Sequence, residues 1–209
     1  MNTKDIEEYK DMLYKNKGLY ILSQKLFPDY DRLKRIDDDK QKKDGHFENI
    51  PYNIDSFINL MKYFPDRDRF IDVGCGTGEK VFLAHLLGFK KSIGIEYTKE
   101  YYEYSIKNIQ IPDIEFKNMD AFDYDFSHEQ VVYLYHPLKY KKPMLDLWGK
   151  IIDELPQGAV MIEASPNATC ADECIGGNLS DYLKQWGFEY LYENRFGMPN
   201  ANTLYKRFL

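Results

Sequence analysis

The segment FIDVGCGTGEK (70–80) places a glycine at every second position directly after a short apolar run. Glycines at this spacing, Gly74, Gly76 and Gly78, let the backbone approach a small ligand with no Cβ in the way. A turn of this kind between a strand and a helix is typical of sites for nucleotides, dinucleotides and related cofactors. The segment therefore predicts a cofactor-binding turn, and the residues around it must decide which cofactor it binds.

Two common types of phosphate-binding turn fit this segment poorly. A P-loop requires Gly-Lys-Ser/Thr at its end, whereas Lys80 is followed by Val81. The dinucleotide fingerprint requires a third glycine at position 79, where this chain has Glu79. A carboxylate at that helix N-terminus also repels a pyrophosphate. A nicotinamide-dependent oxidoreductase is therefore disfavoured, and it stays as an alternative.

Acidic residues stand at the ends of three consecutive predicted strands. Asp72 lies in the strand before the glycine turn, Glu96 closes the next strand, and Asp120 follows the third one within NMDAF. Because the carboxyl ends of parallel strands meet at one edge of a sheet, these carboxylates are expected to lie around one ligand. Glu96 stands about twenty residues past the turn, where an acid can accept both hydroxyls of a ribose.

The combination of DVGCGTG (72–78), GIE ending at Glu96 and NMDAF around Asp120 resembles the class I S-adenosylmethionine-dependent methyltransferases. The specific motifs cover about 70–140, and the order of predicted strands extends the resemblance to the C-terminus. The resemblance implies S-adenosylmethionine as cofactor, a sheet of strand order 3-2-1-4-5-7-6 and methyl transfer to a protein, RNA or small molecule. A non-catalytic cofactor-binding protein with this fold is a further alternative.

The resemblance also implies a role for each residue of the cofactor site. The acid at Asp72 lies near the amino end of the cofactor, and Glu96 accepts from the ribose. Asp120 accepts from the adenine amino group, with a backbone donor beside it and an aromatic residue lining the other side of the adenine. The cofactor-binding residues predicted in this way are Asp72, Gly74, Cys75, Gly76, Gly78, Glu96, Tyr97, Asp120, Ala121, Phe122 and Tyr135.

The loop after the fourth predicted strand, YHPLKYKKP (135–143), is expected to face the reactive methyl group. Enzymes that methylate amino groups of nucleic-acid bases often carry Asn/Asp-Pro-Pro-Tyr/Phe here, and this chain retains only the proline, Pro137. Base methylation is therefore disfavoured. His136 is the candidate catalytic residue, because its charge changes near neutral pH. The alternative is that His136 packs and its backbone holds the amino group of the cofactor.

The cysteines and histidines predict no metal site. Cys75 is expected to be a small residue of the turn and not a nucleophile, since no base is evident beside it. Cys170 and Cys174 have a C-x-x-x-C spacing that fits no usual zinc pattern. The histidines His46, His85, His128 and His136 are scattered along the chain.

Hydrophobic periodicity predicts an α/β fold with a doubly wound, mostly parallel seven-stranded sheet. The tail FEYLYENRF, GMPNAN and TLYKRFL predicts an antiparallel C-terminal hairpin after a helix near 179–186. The chain is divided into an N-terminal helical extension or lid (1–54) and a methyltransferase domain (55–209). The predicted strands are 69–73, 91–96, 113–117, 130–135 and 159–163, and the predicted helices are 5–27, 55–64, 79–88, 99–109 and 144–154.

Length and charge limit the kinds of partner. At 209 residues the chain accommodates one substantial α/β domain, and its net charge of -6 argues against a broad nucleic-acid surface. There is no run of about 18 apolar residues and no apolar signal at the start, so neither a membrane span nor secretion is predicted. The three cysteines, an odd number, fit a reducing cytoplasm. The expected partner is a methyl acceptor of undetermined class, and the oligomeric state is not predicted.

Overall fold

The computed structural model describes residues 54–61, 64, 67–135, 137–138, 140–165, 188–193 and 201–207. The helices in these ranges are α1 (Ile54–Met61), α2 (Glu79–Leu86), α3 (Lys99–Asn108) and α4 (Lys141–Glu154), with a 3-10 turn at Ala121–Asp123. The strands are β1 (Arg69–Val73), β2 (Lys91–Glu96), β3 (Ile114–Asn118), β4 (Val131–Tyr135), β5 (Val160–Ser165), β6 (Phe188–Glu193) and β7 (Ala201–Arg207). The predicted extension, apart from Ile54, and the predicted helices 5–27 and 179–186 lie outside the described residues.

The strands form one sheet in the order β3-β2-β1-β4-β5-β7-β6. β1 pairs in parallel with both β2 and β4, and the parallel pairing continues to β3 on one side and β5 on the other. β7 pairs antiparallel with β5 and with β6. The predicted α/β fold with a parallel sheet is confirmed. The direction of winding reverses between β1 and β4, which is where open α/β sheets bind their ligands.

Both faces of the sheet are covered, because successive strand residues point to opposite sides. On β1, Phe70 packs with Phe57 of α1 and with α2, whereas the next residue, Ile71, packs on the other face. That second face is covered mainly by α4, whose Trp148 is fully buried. The near-continuous apolar strands are thus explained by burial on two sides.

α4 begins earlier than the sequence predicts. It starts at Lys141, so that Pro143 is its third residue, whereas the prediction began the helix at 144 after this proline. The first helical residues have no intrahelical partner for their N–H groups, so a proline there loses no hydrogen bond. α1 ends at Met61 and not at 64. Within the described residues, no helix is long and apolar enough to cross a membrane.

Candidate active site

The turn after β1 is held against β2 by its backbone. The N–H groups of Gly74 and Cys75 both donate to the carbonyl of Ile95 at 2.9 Å, and the N–H of Gly78 donates to the carbonyl of Cys75 at 2.9 Å. Gly74, Gly76 and Gly78 have φ values of 75°, 54° and 80°. L-residues rarely adopt this left-handed region, so the turn depends on glycine. It directs bare backbone toward the edge of the sheet and leads into α2.

Two of these glycines are also required for space. A Cβ at Gly74 would lie 2.9 Å from Cβ of Pro137, in the loop after β4. A Cβ at Gly78 would lie 2.6 Å from the ring of Phe116 on β3. The loop after β4 and strand β3 therefore both pack directly on the backbone of the turn. A side chain at either glycine position would displace Pro137 or Phe116.

Glu96 closes β2 and fixes the turn through its carboxylate. One oxygen, Oε2, accepts from the N–H of Gly76 at 2.8 Å, and the other, Oε1, accepts from the N–H of Thr98 at 2.7 Å. The residue is only 8% exposed. Burial raises the pKa of Glu96 to about 7, although the two N–H donors oppose this increase. Since a carboxylate has about four acceptor positions, each oxygen can still accept from a ligand.

Asp72 is the most deeply buried acid of the site, at 1% exposure. It stands opposite Tyr133 in the parallel pairing of β1 with β4. Its Oδ2 has no hydrogen-bond partner in the part of the chain that the structure describes. Burial raises the pKa of Asp72 to about 6, and the positive charge of Lys80 opposes this only in part. An acceptor buried in this way is costly unless a ligand donates to it.

Ser105 on α3 supports the turn and was missed by sequence reasoning. Its hydroxyl lies 3.1 Å from the carbonyl of Gly76 and 3.0 Å from the carbonyl of Tyr101, and the side chain is fully buried. A signal existed in the sequence, because Tyr101 and Ser105 share one helical face at i and i+4. A serine on a buried face needs a polar partner.

The edge of the sheet beyond β2 carries two exposed rings. Tyr97 is 57% exposed and Phe122 is 38% exposed. The carboxylate Oδ1 of Asp120 accepts from the N–H of Phe122 at 3.0 Å and so begins the 3-10 turn. Asn118 donates to the carbonyls of Glu96 at 2.8 Å and Tyr97 at 2.9 Å, which fixes the end of β2. This edge thus combines exposed aromatic surface with a partly used carboxylate.

The side chain of Cys75 is buried away from solvent. A Cβ at Gly94 on β2 would lie 2.6 Å from its Sγ, so the thiol fills the space that Gly94 leaves. Burial is the main cause that raises the pKa of the Cys75 thiol well above its usual value. A thiol in this state is a poor nucleophile. Cys75 can therefore contribute to a cofactor site only through its backbone.

The β4 side of the site carries a cation over two aromatic rings. Nζ of Lys80, in the first turn of α2, lies 5.5 Å from the ring centroid of Tyr135 and 6.0 Å from that of Tyr133. Pro137 and Leu138 follow and are partly buried. His136 lies outside the described residues, so its role stays a prediction. Lys80 was not among the predicted site residues, since its sequence position alone signals nothing beyond a helix start.

The structure thus brings the predicted cofactor-binding residues to the carboxyl ends of four neighbouring strands. Among the residues it describes, no group of three or more His, Cys, Asp or Glu could hold a metal ion. The predicted cofactor-binding residues are Asp72 on β1, Gly74, Cys75, Gly76 and Gly78 in the turn, Glu96 and Tyr97 at the end of β2, Asp120, Ala121 and Phe122 after β3, and Tyr135 on β4.

Residues 65–135, which include β1 to β4, match a family model described as a methyltransferase domain. No curated protein sequence is significantly similar to the chain. Among solved structures, the fold is similar to that of an RNA methyltransferase from Salinibacter ruber in complex with S-adenosyl-L-homocysteine. The TM-score is 0.55 at 18% identity, covering 76% of this chain and 92% of that one.

Two further solved structures share the fold. A ribosomal protein L11 methylase from Lactobacillus delbrueckii subsp. bulgaricus is similar with a TM-score of 0.58 at 18% identity, covering 74% of this chain and 79% of that one. An S-adenosylmethionine-dependent methyltransferase from Mesorhizobium loti is similar with a TM-score of 0.57 at 14% identity, covering 71% of this chain and 96% of that one.

These matches support the methyltransferase hypothesis and give no support to the oxidoreductase or the non-catalytic alternative. The family match over the four strands that carry the site, together with the shared fold, leads to one conclusion: residues 65–135 match a methyltransferase domain, and the chain has the fold of S-adenosylmethionine-dependent methyltransferases.

Proposed function

We propose that S-adenosylmethionine lies across the carboxyl ends of β3, β2, β1 and β4, and that the methyl acceptor enters over β4. The observation that carries this proposal is the carboxylate of Glu96, buried at the end of β2 with each oxygen oriented by one backbone N–H. The remaining acceptor positions suit a pair of ribose hydroxyls. Glu96 thus joins two parts of the proposed site, because the carboxylate that would bind the ribose also accepts from the N–H of Gly76 in the glycine turn.

The other residues of the site fit the remaining parts of the cofactor. The exposed rings of Tyr97 and Phe122 offer apolar surface for an adenine, and Asp120 offers an acceptor for its amino group. Because the N–H of Phe122 is already donated to Asp120, the N–H of Ala121 is the donor that we assign to the adenine. We assign Oδ2 of Asp72, which has no hydrogen-bond partner among the described residues, to the amino group at the other end of the cofactor.

Bound S-adenosylmethionine supplies a methyl group already activated on a sulfonium. The chain therefore has to align an acceptor in line with that group and exclude water. Pro137, in van der Waals reach of Gly74, fixes the start of the loop after β4 and thereby the direction from which an acceptor enters. His136, adjacent to this proline, is the candidate general base for an acceptor that must lose a proton.

The sheet order and the antiparallel pairing of β7 with β5 and β6 support this assignment, since they complete the seven-stranded sheet that the family resemblance implies. The net charge of -6 disfavours binding of a nucleic acid over a broad surface, so the acceptor is expected to be bound through local contacts. The buried free thiol of Cys75 is in keeping with a cytoplasmic location.

Calorimetry tests the proposal directly. S-adenosylmethionine and S-adenosylhomocysteine should bind, and NAD should bind poorly or not at all, because Glu79 stands where a dinucleotide site needs glycine. Tight NAD binding without S-adenosylhomocysteine binding would contradict it. Transfer of a tritiated methyl group into fractionated lysate then assigns the acceptor to the protein, RNA or small-molecule fraction.

A further inference from the structure

The connection between β3 and β4 carries the proposed adenine residues but contains no α-helix. It runs through residues 119–130, all of which the structure describes, and its regular part is the 3-10 turn Ala121–Asp123. Crossovers between parallel strands usually contain an α-helix, which packs on the sheet and fixes the chain that follows each strand. β2 and β1 lie between β3 and β4, so this connection crosses two strands. Contacts of its own side chains must therefore hold the turn in place.

Within the described part of the chain, the 3-10 turn is attached to the sheet at its two ends. The hydrogen bonds inside the turn are local, as when the N–H of Asp123 donates to the carbonyl of Asp120 at 3.0 Å. Before the turn, the N–H of Met119 donates to the carbonyl of Glu96 at 3.3 Å and so ties the chain to the end of β2. After the turn, the next residue is Tyr124, whose side chain makes the second attachment.

Tyr124 binds a buried ion pair. Its hydroxyl donates to Oε1 of Glu129 at 2.7 Å, and the same oxygen accepts from Nη2 of Arg69 at 2.7 Å. The side chain of Glu129 is 0% exposed. The ring of Tyr124 packs on that of Phe126, with centroids 5.0 Å apart. Burial and the hydrogen bond with Glu129 raise the pKa of Tyr124, so its hydroxyl stays a donor.

This ion pair lies toward the edge of the sheet opposite to the glycine turn, because Arg69 is the first residue of β1. Arg69 compensates the buried charge of Glu129, so the pair is a fixed point to which Tyr124 connects the turn. The chain after Tyr124 has a separate attachment, since the N–H of Phe126 donates to Oε2 of Glu154 at the end of α4, at 2.9 Å. The hydroxyl of Tyr124 is therefore left with one task, which is to place the turn.

We propose that Tyr124 is a positioning residue for the adenine of the cofactor: its hydroxyl, bound to the buried carboxylate of Glu129, holds the 3-10 turn in the position that binds the base. This inference rests on the proposed function, and it concerns a residue outside the cofactor site. In that site, Asp120 is assigned to the adenine amino group and the N–H of Ala121 to the ring nitrogen beside it. Both contacts depend on the placement of one short turn. A turn released from Tyr124 therefore loses selectivity for the base.

The test compares S-adenosylhomocysteine with S-inosylhomocysteine in calorimetry. In the inosyl compound an oxygen replaces the adenine amino group, and the ring nitrogen beside it carries a proton. That oxygen would face the carboxylate of Asp120 and that proton the N–H of Ala121, so both contacts become unfavourable. Wild type should therefore bind S-adenosylhomocysteine at least about 30-fold more tightly. Tyr124→Phe should weaken S-adenosylhomocysteine by about 5- to 20-fold and change the Kd of the inosyl compound by less than about threefold.

Two further variants complete the comparison. Tyr124→Phe keeps the ring contact with Phe126 and leaves the ion pair intact, so it should fold. Glu129→Gln keeps an acceptor for the tyrosine but makes it neutral, and it should lower the selectivity in the same direction. Glu154→Ala is the matched control, because it removes the acceptor of the Phe126 N–H in the same connection. It should leave the ratio of the two Kd values unchanged.

A ratio that Tyr124→Phe leaves at its wild-type value overturns the proposal; if this variant does not fold, the ratio in Glu129→Gln decides in the same way. Equal weakening of both ligands also overturns it, because Tyr124 would then support the site as a whole. The same holds for an equal loss of selectivity in Glu154→Ala, and for equal wild-type affinity for the two compounds. A wild-type protein that binds neither compound overturns the proposed function itself.

Discussion

Replacing Glu96 with alanine tests the site and the fold together. The carboxylate accepts from two backbone N–H groups, of Gly76 and Thr98, and alanine leaves both of them without this acceptor. A buried donor left unpaired costs about 1–3 kcal/mol. We therefore expect Glu96→Ala to lower the free energy of unfolding of the ligand-free protein, and not only to weaken binding. Glu96→Gln, which keeps one acceptor oxygen, should lose less.

The cost of Glu96→Ala should depend on pH, because the pKa of Glu96 is raised from 4.5 to about 7 in the folded protein. A raised pKa contributes stability that is fully present below pH 4.5 and is lost as the pH rises through 7. By proton linkage, wild type should lose about 2 kcal/mol from this group between pH 5.5 and pH 8. Glu96→Ala does not have this loss. The stability difference between the two proteins should therefore narrow by about 2 kcal/mol over that range.

Urea unfolding followed by circular dichroism at pH 5.5 and pH 8 measures both free energies. Calorimetry at pH 8 should show S-adenosylhomocysteine binding to Glu96→Ala about 10- to 100-fold more weakly than to wild type, for the loss of a charge-assisted acceptor. Parallel stability profiles for wild type and Glu96→Ala would refute the raised pKa. Unchanged affinity for S-adenosylhomocysteine would refute the assignment of Glu96 to the ribose.

Three further substitutions, with a fourth as a control, test other parts of the site. Gly78→Ala should lower the free energy of unfolding by about 1–3 kcal/mol and abolish S-adenosylhomocysteine binding. The added Cβ would lie 2.6 Å from the ring of Phe116, and the φ of 80° at this position is unfavourable for alanine. Gly149→Ala, at a helical site where an added Cβ would have no atom of the described residues within 4 Å, should raise the free energy of unfolding by about 0.5–1 kcal/mol. Equal effects of the two substitutions would contradict the packing argument. Asp72→Asn should remove the loss of ligand-free stability that wild type shows as pH rises from about 4 through 6, as measured by urea unfolding; an unchanged slope counts against the raised pKa of Asp72. His136→Asn should lower turnover by about 10²- to 10⁴-fold with partial recovery at high pH if His136 is a general base, whereas a pH–rate profile and turnover like those of wild type exclude that role.

The sequence predicted the positions in the fold of those candidate site residues that have a signal in local spacing. The glycine turn and the acids Glu96 and Asp120 could be recognised because their signal is local: glycines at every second position after a strand, and acids at or just after the ends of the next two strands. Ser105 was not predicted, because its hydroxyl matters only once α3 packs on the carbonyl of Gly76. The contact of Lys80 with two aromatic rings was not predicted for the same reason, since both rings belong to β4, more than fifty residues away along the chain.

The strand boundaries followed from apolar periodicity to within two residues for β1 to β5, since burial on both faces leaves long apolar runs. The start of α4 was wrong by three residues, because Pro143 was taken to precede the helix, although the first turn of a helix tolerates proline. His136 and the segments 1–53 and 166–187 lie outside the described residues, and predictions that concern them stay predictions.

The close approach of Pro137 to Gly74 has a consequence for attempts to change the acceptor of this enzyme. The loop after β4 would be the natural segment to exchange with that of a methyltransferase, because we propose that the acceptor enters over this strand. Pro137, the second residue of this loop, however, packs so closely on Gly74 that a Cβ added at Gly74 would lie 2.9 Å from Cβ of Pro137. A transplanted loop with a bulkier residue at this place would press on the turn and disturb the cofactor. Loop libraries should therefore hold position 137 constant and vary the residues that follow it.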